Sequence, residues 1–287
     1  MVKNILIFVY GTLRRNEENH YLLQNEQCVA QQCWTNGQLY DTAEGFPALK
    51  QSTKGRVYGE LYIVDKQKLQ QLDRLEEYNG PGQKNLYKRI KQQVYTDNGA
   101  FEAFVYTITT DYLNILVRQI DHGDWCMQHS FVENPTFFYF AYGSCMDDER
   151  FRLDGVHQFF QNKKGVGILE GYRLRYTRKV SDGGRADIVE EGGVVEGIVY
   201  EVPGACLSYL YRREGVKYKS YRPALIDVTV NGQILKNVLT FLVVNKDKEM
   251  APPIEYAKEI IRGGTGILSD EYIEKLKQQL KDFNIIL

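Results

Sequence analysis

The sequence has few of the residues that bind metals or form disulfides. It contains four histidines and five cysteines, the cysteines being Cys28, Cys33, Cys126, Cys145 and Cys206. No Cys-x-x-Cys pair and no His-x-x-x-His spacing occurs among them, so we expect neither a metal site nor a disulfide framework. An odd number of scattered cysteines is typical of reduced thiols, which predicts a cytoplasmic location.

Long apolar runs and an excess of charge are also missing. The apolar run from Ile5 to Tyr10 is too short to span a membrane and is not followed by a signal cleavage site, so it predicts a first β-strand. The formal net charge is −1. Because no basic surplus exists to neutralise a phosphate backbone, we expect no nucleic-acid partner, and we expect no membrane partner either.

The common nucleotide-binding and nucleophile motifs are absent as well. No Gly-x-x-x-x-Gly-Lys-Ser/Thr loop and no Gly-x-Ser-x-Gly elbow occurs. The glycines Gly165, Gly167 and Gly171 miss the dinucleotide-binding fingerprint by one residue and lie in a strand-like stretch. We therefore expect no cofactor.

The chain contains enough apolar sequence for two domains, and several of its sequence segments occur twice. It has 287 residues, of which 43% are hydrophobic. The segment 7–13 (Ile-Phe-Val-Tyr-Gly-Thr-Leu) recurs at 139–145 (Tyr-Phe-Ala-Tyr-Gly-Ser-Cys), and 57–64 recurs at 195–202. Further matches follow in the same order, which indicates a duplication.

The duplication predicts two domains, 1–132 and 133–287, with a single continuous domain as the alternative. Apolar runs separated by Asp97-Asn98-Gly99 and by Asn231-Gly232 are typical of β-hairpins. Since strands dominate and do not alternate regularly with helices, we predict an α+β fold in which each domain is a small, mainly antiparallel β-barrel with flanking helices. The second copy adds two C-terminal helices, the last beginning at Ser269.

A glutamate falls on the apolar side of one helix in each copy. In the first copy the helix starts at Asp65 and its inward positions are Leu69, Leu72 and Glu76; in the second copy Glu214 follows leucines at the same spacing. A buried carboxylate holds its proton more tightly, which suits general acid–base catalysis near neutral pH. The alternative is that each glutamate caps its helix or pairs with an arginine, Arg89 or Arg222.

A Tyr-Gly loop follows the first strand of each copy. Its residues are Tyr10, Gly11, Thr12 and Leu13 in the first copy and Tyr142, Gly143, Ser144 and Cys145 in the second. Successive backbone N–H groups near a glycine can form an anion-binding concavity, although an ordinary structural turn is the alternative. Cys145 is a poor candidate for a nucleophile, because the first copy has a leucine there.

At these residues the chain resembles the γ-glutamylcyclotransferase-like family. The first copy, with Phe8-Val-Tyr-Gly-Thr-Leu-Arg14 and Leu72-Asp-Arg-Leu-Glu76, is similar to the γ-glutamylamine cyclotransferase branch. The second copy, with Phe140-Ala-Tyr-Gly-Ser144 and Arg213-Glu-Gly-Val216, is similar to γ-glutamylcyclotransferase proper, and the resemblance continues through Ala251-Pro-Pro253, Tyr256 and Ile260-Ile-Arg-Gly263.

The resemblance implies an enzyme of the acyltransferase type that releases 5-oxoproline from a small γ-glutamyl compound without a cofactor. It implies that Glu76 and Glu214 are the catalytic carboxylates, that the two Tyr-Gly loops bind the substrate and that Tyr256 contacts it. Cys145 departs from the family's asparagine, which removes one polar contact. A binding module and catalysis in the second copy alone are the alternatives, the second copy being the stronger candidate because its resemblance is longer.

Overall fold

We describe a computed structural model, which covers residues 4–130 and 135–287. The chain divides into two compact units, Met1–His129 and Ser130–Leu287. The boundary predicted near residue 132 lies outside the described residues, so it stays a prediction.

The first unit is built around a closed barrel of strands in the order β1-β5-β2-β6-β7. Neighbouring strands are antiparallel except for β1 and β7, which pair in parallel and close the barrel. A small sheet, β4-β3-β8, lies outside it. The elements of this unit are β1 (Ile5–Val9), β2 (Gln27–Asn36), β3 (Gln38–Asp41), β4 (Pro47–Lys50), β5 (Arg56–Val64), α1 (Lys66–Leu75), β6 (Tyr87–Thr96), β7 (Gly99–Ile108), β8 (Arg118–Gln119) and α2 (Trp125–His129).

The second unit repeats this barrel and extends it at the C-terminus. Its strands close in the order β10-β13-β9-β15-β14, and the one parallel contact is again between the first and last strands in sequence, β9 and β15. The elements are β9 (Thr136–Ala141), α3 (Asp148–Leu153), β10 (Lys163–Glu170), β11 (Arg173–Val180), β12 (Gly183–Val189), β13 (Val194–Pro203), α4 (Cys206–Arg213), β14 (Tyr221–Val230), β15 (Gln233–Val243), α5 (Ile254–Gly264) and α6 (Asp270–Asp282).

One glycine in each barrel shows how closely the two copies correspond. A Cβ added to Gly59 of β5 would overlap the carbonyl oxygen of Val9, and a Cβ added to Gly197 of β13 would overlap that of Ala141. Only glycine permits such a close approach between neighbouring strands. The strands of the two barrels therefore correspond one to one. The predicted tandem α+β fold with two mainly antiparallel barrels is confirmed.

Local sequence signals account for several element boundaries. The side chain of Asp65 accepts a hydrogen bond from the Lys68 N–H and caps α1, and Ser269 caps α6 in the same way. Asn231 and Gly232 both have positive φ, as the turn between β14 and β15 requires. In the described part of the chain, no helix is both long enough and apolar enough to cross a membrane.

Candidate active site

The Tyr-Gly loop leaves the end of the first strand of each barrel, and its tyrosine is anchored in the barrel. The Tyr10 hydroxyl donates a hydrogen bond to the carbonyl of Tyr106 at 2.9 Å, and it accepts one from the Leu49 N–H at 3.3 Å. In the second unit the Tyr142 hydroxyl donates to the carbonyl of Phe241 at 2.5 Å. Because these hydroxyls are already engaged, the tyrosines position the loop and offer their rings to the site.

The two glutamates occupy the same structural position, the residue that ends α1 or α4. Glu76 is the C-cap of α1 and Glu214 the C-cap of α4. A helix C-terminus carries partial negative charge, so a carboxylate there is electrostatically unfavourable and does not serve as a stabilising cap. The capping alternative therefore gives no reason for a glutamate at either site.

The side-chain carboxyl group of Glu76 makes neither a hydrogen bond nor an ion pair with any residue that the structure describes. The arginine considered as its partner, Arg89, instead binds Asp73, one turn earlier on α1. Burial raises the pKa of the Glu76 carboxyl to about 8, and the negative charge of Asp73 adds to the rise. Glu76 therefore titrates in the range in which a general acid–base group works best.

Glu214 is also sequestered, but it has cationic neighbours. Its side chain is 15% exposed, and one carboxylate oxygen lies 3.7 Å from Nε of Arg213. Burial raises the pKa of Glu214, while the charges of Arg213 and Arg178 oppose the rise. Arg222, the pairing partner considered from the sequence, donates to the carbonyl of Pro223.

In the first unit a cavity of about 110 Å³ separates the Tyr-Gly loop from Glu76. Every site residue predicted for the first copy lines it. The lining residues are Phe8, Val9, Tyr10, Gly11, Thr12, Leu13, Asn19, Phe46, Pro47, Leu75, Glu76, Glu77, Leu86, Tyr87 and Tyr106. The cavity thus brings backbone of the loop and an unpaired carboxyl group to one space.

The equivalent cavity of the second unit is smaller, about 30 Å³. It also brings together every site residue predicted for its copy, and its lining residues are Tyr139, Tyr142, Gly143, Ser144, Cys145, Ala186, Glu214, Tyr221, Phe241 and Tyr256. Tyr256 comes from α5, and its hydroxyl accepts a hydrogen bond from the Ala186 N–H at 3.2 Å. The described part of the first unit contains no helix like α5, and no equivalent of Tyr256 is among the residues that line its cavity.

In each cavity, the residues that form one wall were not predicted from the sequence. The hydroxyl of Tyr87 donates to the carbonyl of Pro47 at 2.9 Å, and that of Tyr221 donates to the carbonyl of Ala186 at 2.7 Å. Tyr87 and Tyr221 are among the further matches between the two copies, and this match was the available signal. Pro47 and Ala186 had none, because β4 and β12 differ in length and sequence.

Comparison with known proteins identifies the family to which this sequence is similar. Residues 7–127 match the model described as γ-glutamyl cyclotransferase, AIG2-like, and residues 194–276 match the AIG2-like family. YkqA of Bacillus subtilis, provisionally named a γ-glutamylcyclotransferase, is 42% identical over 281 residues, which cover 96% of this chain and 98% of YkqA. The chain belongs to the γ-glutamylcyclotransferase-like family. The tandem resemblance found in the sequence is thereby confirmed.

Structure and further relatives agree with this family membership. The crystal structure of YkqA superposes with a TM-score of 0.86 at 40% identity and covers 97% of this chain and 98% of YkqA. The γ-L-glutamyl-butirosin B γ-glutamyl cyclotransferase of Niallia circulans is 36% identical over 43% of this chain and 79% of its own length. The γ-glutamylcyclotransferase of Mus musculus is 32% identical over 53% of this chain and 83% of its own length.

Proposed function

We propose that the chain is a γ-glutamylcyclotransferase that converts a γ-glutamyl-amino acid or γ-glutamylamine into 5-oxoproline and a free amine. The observation that supports this most strongly is Glu76, a carboxyl group that has no counter-ion among the described residues and faces the Tyr-Gly loop across a cavity. Membership of the γ-glutamylcyclotransferase-like family supports cyclotransferase chemistry in general.

In the proposed reaction the substrate supplies its own nucleophile. Its α-amino nitrogen attacks the γ-carbonyl carbon, a five-membered lactam forms, and the bond to the leaving nitrogen breaks. Holding the two groups in contact is worth an effective molarity of about 10⁵ to 10⁸ M in well-oriented cases. The enzyme's task is therefore to fold the substrate and to move protons.

Glutamate performs both proton transfers in this scheme. Ionised Glu76 accepts a proton from the substrate's ammonium group and then gives it to the departing amine, which together contributes about 10² to 10⁴-fold. Glu214 has the same role in the second unit. Backbone N–H groups of the Tyr-Gly loops hold the α-carboxylate or the oxyanion that develops on the γ-carbonyl.

The cavity volumes favour the first unit as the more active one. A space of about 110 Å³ lies beside Glu76, whereas Tyr256 leaves about 30 Å³ beside Glu214. The longer resemblance of the second copy had favoured the opposite assignment. A second candidate function for the second unit is a small-ligand-binding module without turnover, because Arg213 and Arg178 oppose the rise in the pKa of Glu214 that suits it to proton transfer.

The experiment uses the full chain with Glu76→Gln, Glu214→Gln or both substitutions. Each variant is incubated with γ-glutamyl dipeptides and γ-glutamylamines, and 5-oxoproline is measured. We expect each single variant to lose the turnover of its own unit and the double variant to lose all of it. Formation of 5-oxoproline by the double variant would show that the assigned base is wrong. Binding of 5-oxoproline without turnover by the unmodified chain would support the binding module.

We also propose that the protein acts in the cytoplasm. All five cysteines lie in the described part of the chain and none of them forms a disulfide, as is usual in a reducing compartment.

A further inference from the structure

Directly after the Tyr-Gly loop of the first unit lies a buried cluster of charges. Arg14 is 3% exposed, Glu60 4% and Asp124 3%. Nη1 of Arg14 donates to Oδ1 of Asp124 at 2.6 Å, and Nε of Arg14 lies 3.5 Å from Oε1 of Glu60. Asp124 belongs to the segment that follows the last barrel strand, so Arg14 links the loop to a distant part of the same unit.

Glu60 extends this link to the backbone of the loop. Its carboxylate accepts the Arg15 N–H, with distances of 3.0 and 3.2 Å to its two oxygens, and it accepts the Tyr62 hydroxyl at 2.7 Å. Charge-assisted hydrogen bonds of this kind are strong and directional. Two consecutive residues, Arg14 and Arg15, are therefore held immediately beyond Leu13, the last residue of the loop.

In the second unit, the positions of Arg14 and Glu60 are occupied by apolar residues. Val9 pairs with Glu60 in the first barrel and Ala141 pairs with Ile198 in the second, so Ile198 replaces Glu60, and Met146 replaces Arg14. Both replacements are buried, Met146 being 1% exposed and Ile198 fully covered. Because an apolar set of similar volume is often at least as stable as a buried ion cluster, stability alone does not account for the charges.

In the second unit the helix α5 holds the corresponding loop. A Cβ added to Gly263 would lie 2.6 Å from the backbone nitrogen of Asp147 and 2.7 Å from the carbonyl carbon of Met146, so the helix backbone packs directly on the chain after the loop. Arg262 of α5 also pairs with Asp147. In each unit, then, the segment after the barrel contacts the chain directly after the Tyr-Gly loop. The first unit uses a buried cluster of three charges, and the second uses the backbone of α5 together with one ion pair.

We propose that Arg14, Glu60 and Asp124 are positioning residues that fix the Tyr-Gly loop of the first unit in its reactive geometry, the task that α5 performs in the second unit. This inference rests on the proposed function for its kinetic consequences, and on the structure alone for its consequences for the loop.

The test uses the full chain carrying Glu214→Gln, so that turnover reports the first unit. The triple variant Arg14→Met/Glu60→Ile/Asp124→Asn removes all three charges and introduces the apolar pair of the second unit. We expect it to fold but to lose about 10- to 100-fold in kcat/KM, because displacement of a catalytic loop by about 1 Å has that effect. The loss appears as a raised KM and a lowered kcat together, with the pH profile unchanged.

The matched control is Lys91→Met/Glu102→Ile, which removes an ion pair on the β6–β7 hairpin whose side chains are 60% and 55% exposed. We expect this control to keep the parent's kcat/KM. A triple variant with the parent's kcat/KM would overturn the inference. If the triple variant does not fold, Arg14→Lys replaces it, since lysine keeps the charge but loses the planar fork; parent-like kcat/KM in Arg14→Lys would overturn the inference equally.

Amide hydrogen exchange separates this inference from the proposed function. Whether or not the parent forms 5-oxoproline, we expect the triple variant to exchange the amides of residues 10–15 faster than the parent, with residues 142–147 unchanged. Unchanged exchange at 10–15 would show that the charges do not hold the loop. Absence of 5-oxoproline from the parent, together with faster exchange in the variant, would reject the proposed function of the first unit and keep the loop assignment.

Discussion

The carboxyl groups that end α1 and α4 are placed against the ordinary rules of helix stability. A negative charge at a helix C-terminus is repelled by the helix dipole, and burial penalises the charge further. The two sites differ in compensation, since Glu214 lies near Arg213 and Arg178 while Glu76 lies near the negative Asp73. Each glutamate therefore costs stability when it ionises, and Glu76 costs more.

Glu76→Gln should stabilise the first unit at alkaline pH. The pKa of Glu76 is about 8 in the folded chain, against an ordinary value of 4.5. Between these values the folded state holds a proton that the unfolded state has lost, so the stability of the natural chain falls as pH rises through this window and then levels off. Thermal unfolding should show an advantage for Glu76→Gln at pH 9 that shrinks towards pH 5. Glu77→Gln, which removes the exposed carboxylate of the next residue, is the matched control for the change of charge.

Asp73→Asn should shift the pH dependence of turnover by the first unit. In the Glu214→Gln background, kcat/KM should rise with pH as Glu76 ionises, through about pH 8. Removing the charge of Asp73 lowers the pKa of Glu76, and releasing Arg89 acts in the same direction. The rising limb of the profile should therefore move to lower pH. A limb that stays in place would contradict the assignment of Glu76 as the base.

The Tyr-Gly loops differ in how much space their glycines leave. A Cβ on Gly11 would lie 2.6 Å from Cγ of the Pro47 ring, whereas a Cβ on Gly143 would lie 3.2 Å from Cβ of Ala186. Gly11→Ala should therefore push the loop off β4 and lower the first unit's kcat/KM by at least about tenfold. Gly143→Ala needs a shift of only a few tenths of an ångström and should have a smaller effect. Turnover measured in the Glu214→Gln and Glu76→Gln backgrounds tests the two substitutions separately.

The elements that could be predicted from the sequence were those encoded by adjacent residues. Asp65 and Ser269 cap their helices through residues three positions further on, and Asn231-Gly232 makes its turn alone. Elements that depend on distant partners were not predicted. β4 is four residues long, and residues far away in the sequence hold it beside the cavity: Tyr87, forty positions away, donates to Pro47, and the Leu49 N–H donates to the hydroxyl of Tyr10.

The duplication was the most informative signal for the whole molecule, because it converted one inward-facing glutamate into two at the same helix position. The same comparison could not show what each copy adds after its barrel. Asp124 of the first unit and α5 of the second unit lie in segments with no sequence similarity. Only the fold shows that Asp124 contacts Arg14, directly after one Tyr-Gly loop, and that α5 packs on the residues directly after the other. The longer resemblance of the second copy favoured that copy as the enzyme, whereas the larger cavity, which lies beside Glu76, favours the first copy.

Because each cavity is lined entirely by residues of its own unit, the two activities should add. The rate of the Glu76→Gln chain and the rate of the Glu214→Gln chain should sum to that of the natural chain at every pH and substrate concentration. The two profiles should nevertheless differ, because Arg213 and Arg178 oppose the rise in the pKa of Glu214, whereas Asp73 adds to the rise in the pKa of Glu76. The Glu214→Gln chain should therefore need higher pH to reach its plateau. Steady-state assays of the three chains from pH 5 to pH 10 test this, and a sum that departs from the natural rate would show that the units influence each other.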